Sequence, residues 1–136
     1  SKFLFAKWLT NEHVGEISVD QSGECWSGSY ADSWGNFHER SVKISAAELV
    51  VADSISGDFS NATLRWRLMP DEWTIENNIV TANSVTIEVT SEAKSGFCEL
   101  VSGWESRRYQ KKEPIPVLKV RFPAGAQEIR TRISLK

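Results

Sequence analysis

Along most of the chain apolar and polar residues alternate one for one, the period of a strand with one buried and one wet face. Glu16-Ile17-Ser18-Val19-Asp20, Ser84-Val85-Thr86-Ile87-Glu88-Val89-Thr90 and Ile129-Arg130-Thr131-Arg132-Ile133-Ser134-Leu135 each set an apolar or β-branched residue at every second position, which predicts half-buried strands. Glu48-Leu49-Val50-Val51-Ala52-Asp53 and Pro116-Val117-Leu118-Lys119-Val120-Arg121-Phe122 are richer in apolar residues, as strands nearer the middle of a sheet are. Thr63-Leu64-Arg65-Trp66-Arg67-Leu68-Met69 alternates again and is closed by Pro70, which cannot extend a ladder. Turn chemistry punctuates the strands at 21–23, 34–36, 56–58, 76–78, 95–96 and 123–125. No segment carries a helical stripe, and Ser45-Ala46-Ala47-Glu48 is long enough only for a turn. The pattern predicts an all-β protein, an antiparallel β-sandwich of about eleven or twelve strands with little or no helix.

The 136 residues suit one domain spanning 1–136, with no linker, repeat or low-complexity tract inside it. An apolar-rich segment as early as the third residue suits a domain excised from a longer chain. The net charge of −2 is spread with signs interleaved, which argues against a nucleic-acid partner or an anionic membrane surface. No run approaches the roughly 20 apolar residues of a membrane span, and the opening Ser1-Lys2-Phe3-Leu4-Phe5-Ala6-Lys7-Trp8 is too short and polar for a signal peptide. Cys25 and Cys98 lack the close pairing of a zinc or redox motif and are expected to be buried thiols, a disulfide being the alternative in an exported parent.

Candidate chemistry is sparse. His13 and His38 are the only bases of their kind, and no Ser or Cys sits in a nucleophile elbow. There is no phosphate-cradling glycine loop, and Asp71-Glu72 beside a turn reads as solvated charge. The polar cluster that stands out is Asn36-Phe37-His38-Glu39-Arg40 entering one strand, with Asp53 ending the next and Ser54-Ile55-Ser56-Gly57 following. In a hairpin His38 and Asp53 would face each other, and an imidazole beside a carboxylate can bind a metal or carry a proton. A divalent metal generally needs three or more protein ligands, and no third is identifiable. The plainer alternative leaves His38 and Arg40 as surface residues and Asp53 as a turn acceptor before Gly57, with any Arg40–Asp53 pair worth about 0–1 kcal/mol. Trp26 and Trp34 flank the polar stretch Ser27-Gly28-Ser29-Tyr30-Ala31-Asp32-Ser33 and are candidates for stacking on sugar rings, the alternative being a place in the core. Trp66, between Leu64 and Leu68, belongs on a core face.

The segment Gly103-Trp104-Glu105-Ser106-Arg107-Arg108-Tyr109-Gln110-Lys111-Lys112-Glu113-Pro114-Ile115-Pro116-Val117-Leu118-Lys119-Val120 resembles the end of the C-terminal β-sandwich of the heparinase II/III-like family, in which a Gly-Trp stretch, a Tyr and a Pro-x-Pro-Val-Leu strand follow in order. Upstream, His38-Glu39-Arg40, the apolar run ending in Asp53-Ser54-Ile55-Ser56-Gly57, and Leu64 to Pro70 are similar to the family's successive strands. The resemblance runs from about residue 17 to residue 133, and the quoted segments read as architecture: a strand from Pro114 and Pro116 at a sheet edge, a turn or bulge at Gly103, and Lys111-Lys112 in a solvated loop.

The resemblance implies a parent polysaccharide lyase that cleaves acidic, uronate-containing polysaccharide by β-elimination. An N-terminal α/α toroid would supply most of the catalytic groups and the sandwich one wall of the cleft. It implies His38 as a cleft histidine and a metal, zinc, at His38 and Asp53; the order of the strands sets Arg40 beside them as a contact for a uronate carboxylate, and Trp26 and Trp34 are the stacking candidates read from the residues. That metal set is incomplete, because Arg65, Trp66 and Arg67 stand where a second histidine ligand would be sought. The parent would be periplasmic or secreted if it carries a signal peptide. A non-catalytic carbohydrate-binding or structural module is the alternative.

Overall fold

The computed structural model describes residues 10–14, 18–20, 23–92, 96–124 and 128–135. Residues 16–17 of the first predicted strand, and parts of the turns at 21–22, 95 and 125, lie outside them. Among the described residues there are twelve strands and no helix: β1 (Thr10–Val14), β2 (Ser18–Asp20), β3 (Gly23–Ala31), β4 (Phe37–Ile44), β5 (Glu48–Ser56), β6 (Asn61–Arg67), β7 (Thr74–Glu76), β8 (Ile79–Ala82), β9 (Val85–Thr90), β10 (Phe97–Arg108), β11 (Lys111–Pro123) and β12 (Glu128–Leu135). All pairings are antiparallel. Nine strands form one sheet in the order β1-β3-β4-β5-β12-β9-β8-β7, with β2 also paired to β3, and β10-β11-β6 form a second.

The core lies between the sheets. Leu64, Leu118, Val120 and Phe122 of the three-stranded sheet, with Leu68 just past β6, pack with Val80, Ile87, Val89 and Ile129 of the large one. The small sheet has too few strands to cover the large one, and the register shows where cover ends. Trp26, Val42, Val51, Thr131 and Val89 stand opposite one another along one row of the inner face, from β3 to β9. Exposure along that row falls from 37% at Trp26 to 2% at Val51 and 0% at Thr131. The inner face of β3 and β4 therefore overhangs the edge strand β6.

Several strand ends have local causes. Asn77 and Asn78 both take positive φ (51° and 64°), the geometry of a two-residue turn whose twist matches a hairpin, here joining β7 to β8. Ser45 closes the predicted turn at 45–48 through its amide and hydroxyl, both donating to the Glu48 carbonyl. β6 stops at Arg67, short of Pro70. In β11 the Pro116 carbonyl accepts the Leu68 amide, so the side of the residue that lacks an N–H faces the place where β6 runs out. Pro116 cannot return that bond, which ends the ladder there, and Pro114, two residues earlier, lies beyond the last paired residue of β6.

Four expectations need correction. β11 begins at Lys111, before both prolines, and is the middle strand of the small sheet instead of an edge. Lys111 and Lys112 are residues of β11, Lys111 paired with Arg108, because β10 and β11 are joined by the two-residue turn Tyr109-Gln110, with Gln110 at φ 60°. Gly103 makes neither turn nor bulge but sits within β10 opposite Ile115, where a Cβ would come within 2.5 Å of Val117 Cγ2. Cys25 on β3 and Cys98 on β10 are free thiols, half-buried instead of fully buried, and burial raises the Cys98 thiol above its ordinary value.

Gly57 ends the β5 run at φ 124°, where an added Cβ would lie 2.4 Å from Asn36 Oδ1 and 2.8 Å from Asn36 Cα. Both the φ and the close backbone approach select glycine. Gly57→Ala is expected to destabilise the fold by about 2 kcal/mol, read as a lower denaturation midpoint with unchanged slope. An unchanged midpoint would show that the β3–β4 and β5–β6 turns do not depend on that contact.

Candidate functional site

On the overhanging inner face, β4 presents His38 and Arg40, two residues apart and on one side. Arg40 stands directly opposite Asp53 of β5 and His38 opposite Ile55, while Tyr30 of β3 stands opposite His38. The predicted pairing of these two strands is thus the one found, but Asp53 lies inside β5, which continues to Ser56, and it is buried at 3% exposure.

Both carboxylate oxygens of Asp53 are engaged by side chains. Oδ1 accepts from His38 Nε2 at 2.7 Å and from Arg40 Nε at 2.7 Å, and Oδ2 accepts from Arg40 Nη2 at 3.1 Å. Burial works to raise the Asp53 carboxyl, but hydrogen bonds from His38 and Arg40, with the positive charge of Arg40, outweigh it and hold the group below its ordinary value. The Arg40 guanidinium also lies over the Trp66 ring, 5.3 Å from its centroid, and Trp66 Nε1 donates to Thr131 Oγ1 at 3.3 Å. Tyr30 meets the His38 ring edge to face, centroids 5.0 Å apart.

A groove of about 450 Å³ opens here, with Tyr30, Asn36, His38 and Arg40 on the large sheet and Leu64 and Arg65 on β6. Its rim is the β3–β4 turn, built on Asp32. Asp32 Oδ1 accepts the Trp34 and Asn36 amides at 2.8 and 3.0 Å, and Oδ2 accepts Asn36 Nδ2 at 2.9 Å. The Asn36 side-chain bond is the main cause that lowers the Asp32 carboxyl. Trp34 sits in that turn at 78% exposure, and Trp26 shares the inner face with Tyr30 and His38, so neither is a core residue.

Two readings of Asp53 change. It is not a turn acceptor for backbone amides, and its pair with Arg40 is not a weak surface contact. The pair is two-pronged, one partner is buried, and its cation is sandwiched against an aromatic ring. Asn36 belongs to the polar cluster that the sequence points to, whereas Tyr30, an aromatic of the stretch between Trp26 and Trp34, and Arg65 were not assigned as site residues. Counting back from Asp53 through a hairpin centred on 45–48, and from His38 through one centred on 32–36, would have placed Tyr30 beside His38.

A divalent ion does not fit this arrangement. A guanidinium holds the Asp53 carboxylate on both oxygens, cannot act as a ligand, and leaves His38 as the remaining donor. Arg65 and Trp66 add none, and among the described residues no three His, Cys, Asp or Glu side chains gather as a metal set. A second cleft of about 300 Å³ on the opposite face of the large sheet, with Glu39, Glu92 and Glu128 along it, has no such set either.

No protein-family model matches the chain, and no curated protein is similar to it in sequence. Solved structures do resemble it. A mutant of heparan sulfate lyase HepC from Pedobacter heparinus superposes with a TM-score of 0.77 at 16% identity, over 93% of this chain and 23% of that one. Heparan sulfate lyase HepC from the same organism gives 0.71 at 19% identity over the same shares. A heparinase III gene product gives 0.72 at 14%, over 93% of this chain and 21% of its own.

Arg40→Ala is expected to cost about 3 kcal/mol at neutral pH by stranding a buried carboxylate, a larger loss than a surface pair would give. Because the Asp53 carboxyl is depressed on folding, its contribution is present above the unfolded carboxyl value near 3.9 and fades as pH falls through the folded value. Stability should therefore drop below about pH 4, and Asp53→Asn should flatten that acid limb. Zinc should leave the melting temperature unchanged; a one-to-one zinc-dependent rise abolished by His38→Ala would overturn the reading of the site as closed to metal. In fold, the chain corresponds to a β-sandwich module of heparan sulfate lyases and spans 21–23% of the length of the lyase chains it matches.

Proposed function

We propose that this chain is the C-terminal β-sandwich of a heparinase II/III-like polysaccharide lyase, following an α/α toroid and forming one wall of a cleft for acidic, uronate-containing polysaccharide. The observation that carries the reading is the groove at the overhang, where a fold shared with heparan sulfate lyases sets His38, Tyr30 and Arg65 around a fixed cation–carboxylate pair. In β-elimination a base removes the proton α to the uronate carboxylate, the electron pair forms the new double bond, and the glycosidic oxygen leaves with a proton. The reaction needs a carboxylate clamp, a base and an acid held together.

The residues of this chain suit part of that set. Asp53, as a carboxylate, can only accept, so His38 Nε2 carries the proton between them, and Nδ1 is the ring nitrogen left to meet the groove. Arg40 is committed to Asp53 through Nε and Nη2 and holds His38 in place by fixing their shared acceptor. Arg65, exposed on β6 at the margin of the groove and on the face opposite Leu64 and Trp66, is the cation there not committed to Asp53. Trp26 and Trp34 are exposed faces for sugar stacking along the same strand and its turn.

The isolated chain is expected to release no unsaturated uronate from heparan sulfate, measured by the ultraviolet absorbance of the product, whereas the full-length parent does. In the parent, His38→Ala should lower turnover at least tenfold with the melting temperature within a few degrees of wild type. Full activity of that variant, or turnover by the 136-residue chain alone, would count against the division of labour stated here.

A further inference from the structure

We propose that the free end of the β10–β11 hairpin is a second binding site for an anionic polysaccharide, separate from the groove at His38; the choice of ligand rests on the function proposed above. β6 accompanies β11 only from Val117 to Pro123, so residues 102–108 and 111–116 stand beyond the third strand as a two-stranded ribbon. The base of the ribbon is covered, with Ile115 at 4% exposure and the Trp104 carbonyl accepting Arg67 Nη2 at 2.8 Å, whereas its tip lies open to solvent. From Trp104 to Pro114 the sequence carries four cations and two carboxylates, in a chain whose net charge is −2.

The pairing within the ribbon leaves part of that charge unspent. Glu105 takes Arg107 at 2.6 Å and Glu113 takes Lys111 at 2.6 Å. Among the described residues no carboxylate pairs with Arg108 or with Lys112, whose ammonium lies over the Trp104 ring, 4.7 Å from its centroid. Arg107, Arg108 and Lys111, with Glu113, line a cleft of about 190 Å³, wide enough for a sulfate or a carboxylate group. Trp104 is 55% exposed and Tyr109 at the tip 93% exposed, two aromatic faces beside the cations.

Cations for the acid groups and aromatic faces for the apolar side of sugar rings are what an anionic polysaccharide requires. Duplex nucleic acid would call for a wider basic footprint without interleaved carboxylates. Nine residues of β11 separate Lys111 from Val120, which stands opposite Leu64 at the groove wall, and at about 3.3 Å per residue the two sites lie roughly 30 Å apart. A long chain can hold both and a short oligosaccharide only one, so the hairpin would raise affinity for polymer over fragments.

The test titrates the chain with heparan sulfate at low salt, following tryptophan fluorescence and heat. Arg108→Glu with Lys112→Glu, both exposed, should weaken binding at least tenfold, and Trp104→Ala should weaken it and remove most of the fluorescence change. Lys43→Glu with Arg132→Glu applies the same charge change away from the ribbon and should stay within about twofold of wild type. Unchanged binding in the hairpin pair, an equal loss in the control pair, or equal affinity for duplex DNA or anionic phospholipid vesicles would each overturn the proposal. A parent without lyase activity whose heparan sulfate binding still needs Arg108 and Lys112 would sink the proposed function and leave the hairpin site standing.

Discussion

A carboxylate at 3% exposure inside a β-sandwich stays ionised only if cationic or hydrogen-bonding partners replace the water it has lost. Asp53 meets that constraint with two side chains from the neighbouring strand, and much of this end of the molecule follows from it. Arg40 must stand opposite Asp53, which fixes the β4–β5 register, since a one-residue slip would turn every side chain of a strand to the other face. Its guanidinium must lie against Trp66, which in turn bonds Thr131 in the middle of the large sheet. The two sheets are thereby joined by a chain of contacts from β4 through β6 to β12, at the margin where apolar packing thins out.

The strands themselves were legible because alternation is a local property. Each predicted strand with described residues is found, and the turn at 45–48 gave the pairing that sets Arg40 and Asp53 together. What was not legible depends on the number of strands in each sheet. Trp26 and Trp34 could be core or surface until the nine-to-three division left β3 without cover. Trp66 was rightly placed on a core face by its neighbours Leu64 and Leu68, yet its contact with Arg40 crosses between sheets, and no spacing along the chain encodes that. Lys111 and Lys112 read as loop because two adjacent lysines are polar on both sides; a ribbon wet on both faces lacks the alternation that betrays a half-buried strand.

The same contrast explains why a weak surface pair was an underestimate for Arg40 and Asp53. An ion pair is weak when water competes for both partners, and here water has access mainly to the arginine, whose side chain is 34% exposed against 2% for the aspartate. The exposed partner keeps its solvation while the buried one gains a charge-assisted, two-pronged bond. That asymmetry is the least costly way to hold a charge in a core, and it needs no metal.

His38 is the member of the cluster with freedom left. Its side chain is 22% exposed, it gives one nitrogen to Asp53, and its ring is braced edge-on by Tyr30. Arg40 occupies Asp53 from the other side, so the carboxylate can neither swing toward the groove nor take the histidine's proton without losing its own partner. The imidazole is thus oriented by its bond to Asp53 and by the Tyr30 ring. Removing Arg40 would loosen the acceptor and the fold together, whereas removing His38 would leave the Arg40–Asp53 bond intact, and this difference separates the residue that builds the wall from the residue that faces the groove.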